Sequence, residues 1–158
     1  MDKSKQQIHV ELIKKVDTAF ISQLNSLLDE GTEWDSRQGE KFLKDPSNAL
    51  FVAFLENRAV GFLTANRLQR FDKRGAEVLL HEIGVNEDFR RRGIGKALID
   101  EVKHWAKEAA ADEVWVLTNR SNTAAVALCQ SEGGTTESKT PDEVMFVFKL
   151  YENASCRT

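Results

Sequence analysis

The stretch Arg90-Arg91-Arg92-Gly93-Ile94-Gly95-Lys96 constrains this chain more than any other feature. It follows a strand-like run, Glu77 to Val85, and opens an amphipathic helix expected from about Ile94 to Ala110. A strand feeding a helix through so tight a loop fixes a strand–loop–helix unit at the centre of the fold. Glycine lets the backbone turn sharply and approach a ligand closely. A helix N-terminus adds unpaired N–H donors and a partial positive charge. Arg90, Arg91, Arg92 and Lys96 add full charges. Together these residue types describe a cradle for a pyrophosphate, with backbone N–H groups of Arg91 to Gly95 as the main donors.

The spacing excludes two familiar phosphate loops. A Walker loop needs Gly five residues before its Gly-Lys pair and Ser or Thr after it; Arg90 and Ala97 stand there. A dinucleotide fingerprint needs a third Gly, where this chain has Leu98. What remains is R-x-x-G-x-G. Downstream come a strand, Glu113 to Thr118, then Asn119-Arg120-Ser121-Asn122, a helix from Thr123 to Glu132 ending at Gly133-Gly134, and a last strand, Glu143 to Leu150.

That order of elements resembles the core of the GNAT superfamily of N-acetyltransferases. Asn122, Ala125, Leu128 and Gly133 resemble its N-x-x-A-x-x-L-Y-x-x-x-G signature. The resemblance covers residues 8–150 and implies one N-acetyltransferase domain, with short polar tails at 1–7 and 151–158. It implies a mixed α/β fold: a central, mostly antiparallel twisted sheet flanked by helices, splayed between the strands ending near Val85 and Thr118. It implies acetyl-CoA as cosubstrate, held by Arg90 to Lys96 at the pyrophosphate. Backbone groups of Ile83 and Val85 would bond the pantetheine arm like an added strand, with Gly84 suited to a bulge or close approach. Asn122 would bond the same arm or cap its helix. More narrowly, Glu77 to Val85, Arg90 to Leu98, Ala125 to Leu128 and Val144 to Phe146 resemble the small aminoglycoside 3-N-acetyltransferases, which acetylate an amine of a polycationic antibiotic.

Amide formation needs a free amine, so a base must take its proton, and the departing thiolate needs a proton back. Glu82 is the candidate base, in line with an acidic residue in the small aminoglycoside enzymes. Burial at a strand end would raise its pKa; binding the substrate ammonium, or simple exposure on a strand, are the other readings. His81 alternates with Glu82 and reads as a packing histidine. Cys129 departs from the signature, which has Tyr there as proton donor. Cysteine titrates at about 8.5 rather than about 10. General acid, helix packing and covalent carrier remain open for it. Gly134 replaces the usual aromatic after Gly133. Glu137, Asp142 and Glu143 either line an acidic substrate mouth or are solvated.

The chain has 158 residues, 41% of them hydrophobic, which suits a single domain with a substantial core. Its formal net charge of -3 argues against nonspecific nucleic-acid binding and mildly favours a cationic partner. No apolar run is long enough to span a membrane, and Met1 to Gln7 lacks the apolar segment of a signal peptide. The expected location is cytoplasmic. Cys129 and Cys156 have no metal-type spacing, and no metal is expected. A homodimer paired through Val144 to Leu150 and an internal role for that strand both stay open. So do two functional classes: an acetyltransferase acting on an aminoglycoside, polyamine-like or peptide amine, and a catalytically weak acyl-CoA-binding sensor.

Periodicity supplies the remaining elements. Ile8, Val10 and Leu12 alternate as a strand. Val16, Ala19, Phe20, Leu24, Leu27 and Leu28 share a helical face stopped by Gly31. A short helix follows over Ser36 to Leu43. Leu50 to Leu55 and Ala59 to Leu68 form a hairpin about Glu56-Asn57-Arg58. Ile94, Leu98, Val102, Trp105 and Ala109 form the buried stripe of the main helix.

Overall fold

The structure is a computed structural model that describes residues 7–136 and 143–151. Its strands are β1 (His9–Leu12), β2 (Asn48–Leu55), β3 (Arg58–Gln69), β4 (Ala76–Val85), β5 (Ala111–Asn119), β6 (Thr135–Thr136) and β7 (Glu143–Lys149). Its helices are α1 (Thr18–Asn25), α2 (Ser36–Lys44), α3 (Ile94–Glu108) and α4 (Thr123–Ser131). The sheet is mostly antiparallel, ordered β1-β2-β3-β4-β5-β7-β6, and β4 and β5 form a parallel pair. That pair runs only from Ala76↔Ala111 to Leu79↔Trp115, whereas β5 pairs with β7 as far as Asn119. No helix among the described residues is long and apolar enough to cross a membrane.

The chain forms two compact units. The first holds the described residues up to Thr64, with Glu82–Leu98; the second holds Ala65–His81 and the described residues from Ile99 onward. In the first, Asp17 and Asp35 cap α1 and α2 through side-chain bonds to Phe20 and Gln38 N–H, each 2.8 Å. The two helices cover one face of β2 and β3. Ile13, Leu24, Leu50, Val52, Ala59 and Phe62 form the core, with Phe20, Trp34 and Phe42 packed against it. Gly39 admits the Trp34 indole, which a Cβ there would strike. Helix α1 ends at Asn25, short of the expected Leu28. The Asn25 side chain accepts the Trp34 N–H at 2.7 Å, and Ser26 closes the helix through its backbone bond to Ser22. Leu27 and Leu28 still pack on the core from the turn that follows. Residues Glu56 and Asn57, with φ of 49° and 65°, make a two-residue hairpin turn, and Arg58 already belongs to β3.

In the second unit, α3 buries Ile99, Val102 and Ala106. Trp105 is only half-buried, so the buried stripe runs one position over from the expected Trp105–Ala109 line. The Arg67 guanidinium bonds the Ala109 carbonyl at 2.8 Å, satisfying an acceptor at the end of α3. Strand β7 lies between β5 and β6, so it is used internally. Its Val144, Phe146, Val147 and Phe148 are buried.

Candidate functional site

The Arg90–Lys96 loop belongs to the first unit, as do Glu82, Ile83 and Val85; Asn122 and Cys129 belong to the second. From the end of β4 the chain continues antiparallel to β3 for one more bond, Asn86 N–H to Val60 carbonyl at 2.9 Å. The Asn86 side chain then caps a single 3₁₀ turn, Glu87–Phe89, by accepting the Asp88 N–H at 3.0 Å. This turn was not legible in the sequence. Two left-handed residues follow, Arg91 at φ 62° and Gly93 at φ 84°. A non-glycine residue there is uncommon.

Helix α3 begins at once: its Ala97 N–H bonds the Gly93 carbonyl at 3.0 Å. The amides of a first helical turn lie beyond the reach of the intrahelical ladder. Ile94 is buried and anchors this end. Its seat is Gly61 of β3, where a Cβ would come within 2.9 Å of Ile94 Cγ2 and 3.1 Å of the Gly84 carbonyl. Gly84 in turn leaves room for the Phe62 ring, 2.6 Å from where its Cβ would be. The close approach expected at Gly84 is therefore with Phe62. Gly61 was missed; an isolated glycine inside a strand pattern was the available signal.

Gly93 has little crowding around it. A Cβ there would meet only Ile8 Cδ1, at 3.9 Å, so its left-handed backbone is what demands glycine. Gly95 lies in the first turn of α3 with no left-handed φ. The arginines differ in disposition. Arg90 folds back, donating to the Val85 carbonyl at 3.3 Å and lying 3.8 Å from Glu87. Arg92 lies over the Phe89 ring at 5.2 Å. Arg58, from the start of β3, lies over the same ring at 5.1 Å.

Glu82 is exposed, so the burial invoked for it is absent. It shares its face of β4 with Gly84, which meets Phe62, while Ile83 and Val85 alternate onto the other face. His81 is also exposed and packs nothing away, contrary to its expected packing role.

In the second unit Asn122 caps α4, its side-chain oxygen accepting the Ala125 N–H at 3.2 Å. The helix ends in a Schellman arrangement. Gly133, at φ 84°, bonds the Gln130 carbonyl, and Gly134 N–H bonds the Cys129 carbonyl at 2.9 Å. A Cβ at Gly134 would sit 2.9 Å from both that carbonyl and the Phe148 ring. This is why an aromatic is absent there. Cys129 is 5% exposed, and burial pushes its thiol pKa up to about 11. Glu137, Asp142 and Cys156 lie outside the described residues, as does the side chain of Glu143.

The Acetyltransferase (GNAT) family model matches residues 16–133. Streptothricin acetyltransferase A of Bacillus subtilis (strain 168) is 28% identical over 74 residues, 47% of this chain and 40% of that protein. The chain thus spans well under two thirds of that curated relative's length. Among solved structures, an aminoglycoside acetyltransferase, meta-AAC0020, from an uncultured soil metagenomic sample, in complex with sisomicin, superposes with a TM-score of 0.75. It is 26% identical, over 85% of this chain and 92% of that one. Arabidopsis thaliana NAA60 in complex with acetyl-CoA shares the fold, with a TM-score of 0.69 at 19% identity over 90% of this chain and 98% of that one. With the family model spanning most of its length and the strand–loop–helix unit of residues 76–108 in place, this chain belongs to the acetyltransferase (GNAT) family.

Proposed function

We propose that this protein is an acetyl-CoA-dependent N-acetyltransferase acting on a primary amine of a small cationic molecule of the aminoglycoside type. The observation that carries the reading is the β4–α3 loop. It combines two left-handed residues, Arg91 and Gly93, with the N-terminus of a helix and a row of cationic side chains. These features fit a pyrophosphate. The bound cosubstrate supplies an activated acetyl thioester. Backbone N–H groups from Arg91 to Gly95 hold its pyrophosphate, assisted by the Lys96 and Arg91 side chains, and Arg92 adds a cation to the cosubstrate's phosphates. Arg90 braces the loop by holding the Val85 carbonyl.

Ile83 and Val85 offer backbone groups to the pantetheine arm. Leu79 is the last β4 residue paired with β5. Glu82 takes the proton from the ammonium, directly or through water, and its exposure lets the carboxylate meet a hydrated cation. Asn122 uses its side-chain oxygen in the α4 cap. Of the three roles open to Cys129, burial and the raised pKa favour packing: a thiol at about 11 is a weaker acid than an ordinary thiol. The likeness to a sisomicin-bound aminoglycoside enzyme and to a streptothricin acetyltransferase supports the cationic amine. The net charge of -3 suits the same partner.

The deciding experiment measures thiol release from acetyl-CoA with sisomicin, spermidine and a peptide bearing a free N-terminus. Release with sisomicin well above the other two is the expected result. Tight acetyl-CoA binding with no release for any amine would instead favour a cofactor sensor.

A further inference from the structure

Phe89 carries two guanidiniums. Arg58 lies 5.1 Å and Arg92 5.2 Å from its ring centroid. The two charges therefore stand no farther apart than about one Debye length, ~10 Å at 0.1 M salt. They come from different elements, Arg58 from the start of β3 and Arg92 from the loop before α3. Among the described residues neither has a carboxylate partner; the nearby Glu87 lies against Arg90 instead. Both arginines are exposed, and Phe89 is half-buried. A ring face attracts each cation, by about 0.5–1 kcal/mol at an exposed site, which offsets part of their mutual repulsion and favours both planar forks over the ring. Paired, unneutralised guanidiniums suit a phosphate, and most of all a doubly charged one.

We infer that Arg58, with Arg92, positioned by Phe89, forms a distinct subsite for the 3′-phosphate of the cosubstrate's adenosine, and so selects coenzyme A over its dephospho form. The inference rests on the acetyl-CoA reading above. The pyrophosphate is a pair of diester-type phosphates that the loop amides can satisfy. The 3′-phosphate is a monoester with a second pKa near 6, so it carries close to two charges at neutral pH. Arg58 stands outside the glycine loop, on the hairpin strand, where it adds cationic charge that the loop motif does not include.

Titration calorimetry with coenzyme A and 3′-dephospho-coenzyme A tests this on the whole protein. Wild type is expected to prefer coenzyme A by about tenfold or more, the scale of one or two charge-assisted hydrogen bonds. Arg58→Ala should bring that ratio close to one by weakening only the phosphorylated ligand. Arg58→Lys should keep part of the ratio. Phe89→Leu keeps both charges but removes the ring, and should lower the ratio about threefold, with its melting temperature recorded to exclude unfolding. Equal loss of both ligands in Arg58→Ala, or no loss of either, overturns the subsite and leaves the acetyl-CoA reading standing. A wild-type protein that binds neither ligand removes both.

Discussion

The backbone N–H of Gly134 donates to the carbonyl of Cys129 at 2.9 Å, and the same glycine leaves no room for a side chain against Phe148. The end of α4 is thereby closed around the buried cysteine. Two departures from the family signature, Cys129 for Tyr and Gly134 for an aromatic, meet in one packed corner. Tyr at 129 would have to fit a space that now holds a thiol.

Cys129→Ala should therefore keep turnover within about threefold of wild type while lowering stability by roughly 1 kcal/mol. Cys129→Tyr should cost more, about 1–3 kcal/mol, through overpacking. Steady-state thiol release and thermal melting measure the two effects. A large rate loss in the alanine variant at unchanged melting temperature would restore the proton-donor role, and an acetyl adduct by intact mass spectrometry would point to a covalent one.

The same thiol gives a pH signature. Its folded pKa of about 11 exceeds its value in the unfolded chain. Between those two values the unfolded state has lost the proton and the folded state has kept it. Stability thus falls as pH rises from about 9 to 11, by up to roughly 2 kcal/mol. Below that window Cys129 adds no pH dependence. Denaturant midpoints at pH 8 and 10.5 should diverge more in wild type than in Cys129→Ala.

Gly93→Val should weaken acetyl-CoA binding at least tenfold. A β-branched residue at φ 84° is strained whatever the space around it, so the loop must change shape to relieve it. The fold should survive, because the Gly93 position is exposed and faces only Ile8. Calorimetry beside a melting curve separates the two quantities; full affinity in a folded variant rules out the pyrophosphate assignment.

Glu82→Gln should lower turnover at neutral pH by about 10²-fold or more, the ordinary scale of a general base. The loss should shrink as pH approaches the pKa of the amine. Acetyl-CoA affinity should stay as it was, since Glu82 alternates away from Ile83 and Val85 on β4. A pH–rate profile identical to wild type would remove Glu82 from the chemistry.

Gly61→Ala should act at a distance along the chain. Its new Cβ meets Ile94 and the Gly84 carbonyl, so stability should drop by about 1–3 kcal/mol. Cosubstrate affinity should fall with it. Adding Ile94→Val, which trims the side chain that the Cβ meets, should recover part of both.

The elements were readable where one period dominated. Strands β2 to β5, the beginning of α3 and the α4 cap at Asn122 follow from alternation, glycines and a capping residue. The end of α1 was not, because Asn25 spends its side chain on Trp34, a partner nine residues ahead. The buried face of α3 follows the expected Ile94, Leu98 and Val102 and departs only at its end, where Ala106 replaces Trp105, since both satisfy a helical repeat and only packing distinguishes them. The turn at Glu87–Phe89 and the two-residue β6 are too short to carry a period. In the site, the Arg90–Lys96 loop was visible as a local motif. The roles of Arg58 and Gly61 were not, because each is defined by residues remote in sequence, and the exposure of Glu82 was one of several open readings that only the structure separates.

The seating of Ile94 on Gly61 also bears on engineering. The seven residues of the cationic loop do not make a portable cassette. Their helix starts where it does because a strand in another part of the chain lacks a side chain at one position. A graft of the loop onto a different strand–helix junction would carry the charges and lose the register, unless the recipient strand offered the same bare spot beneath the first turn.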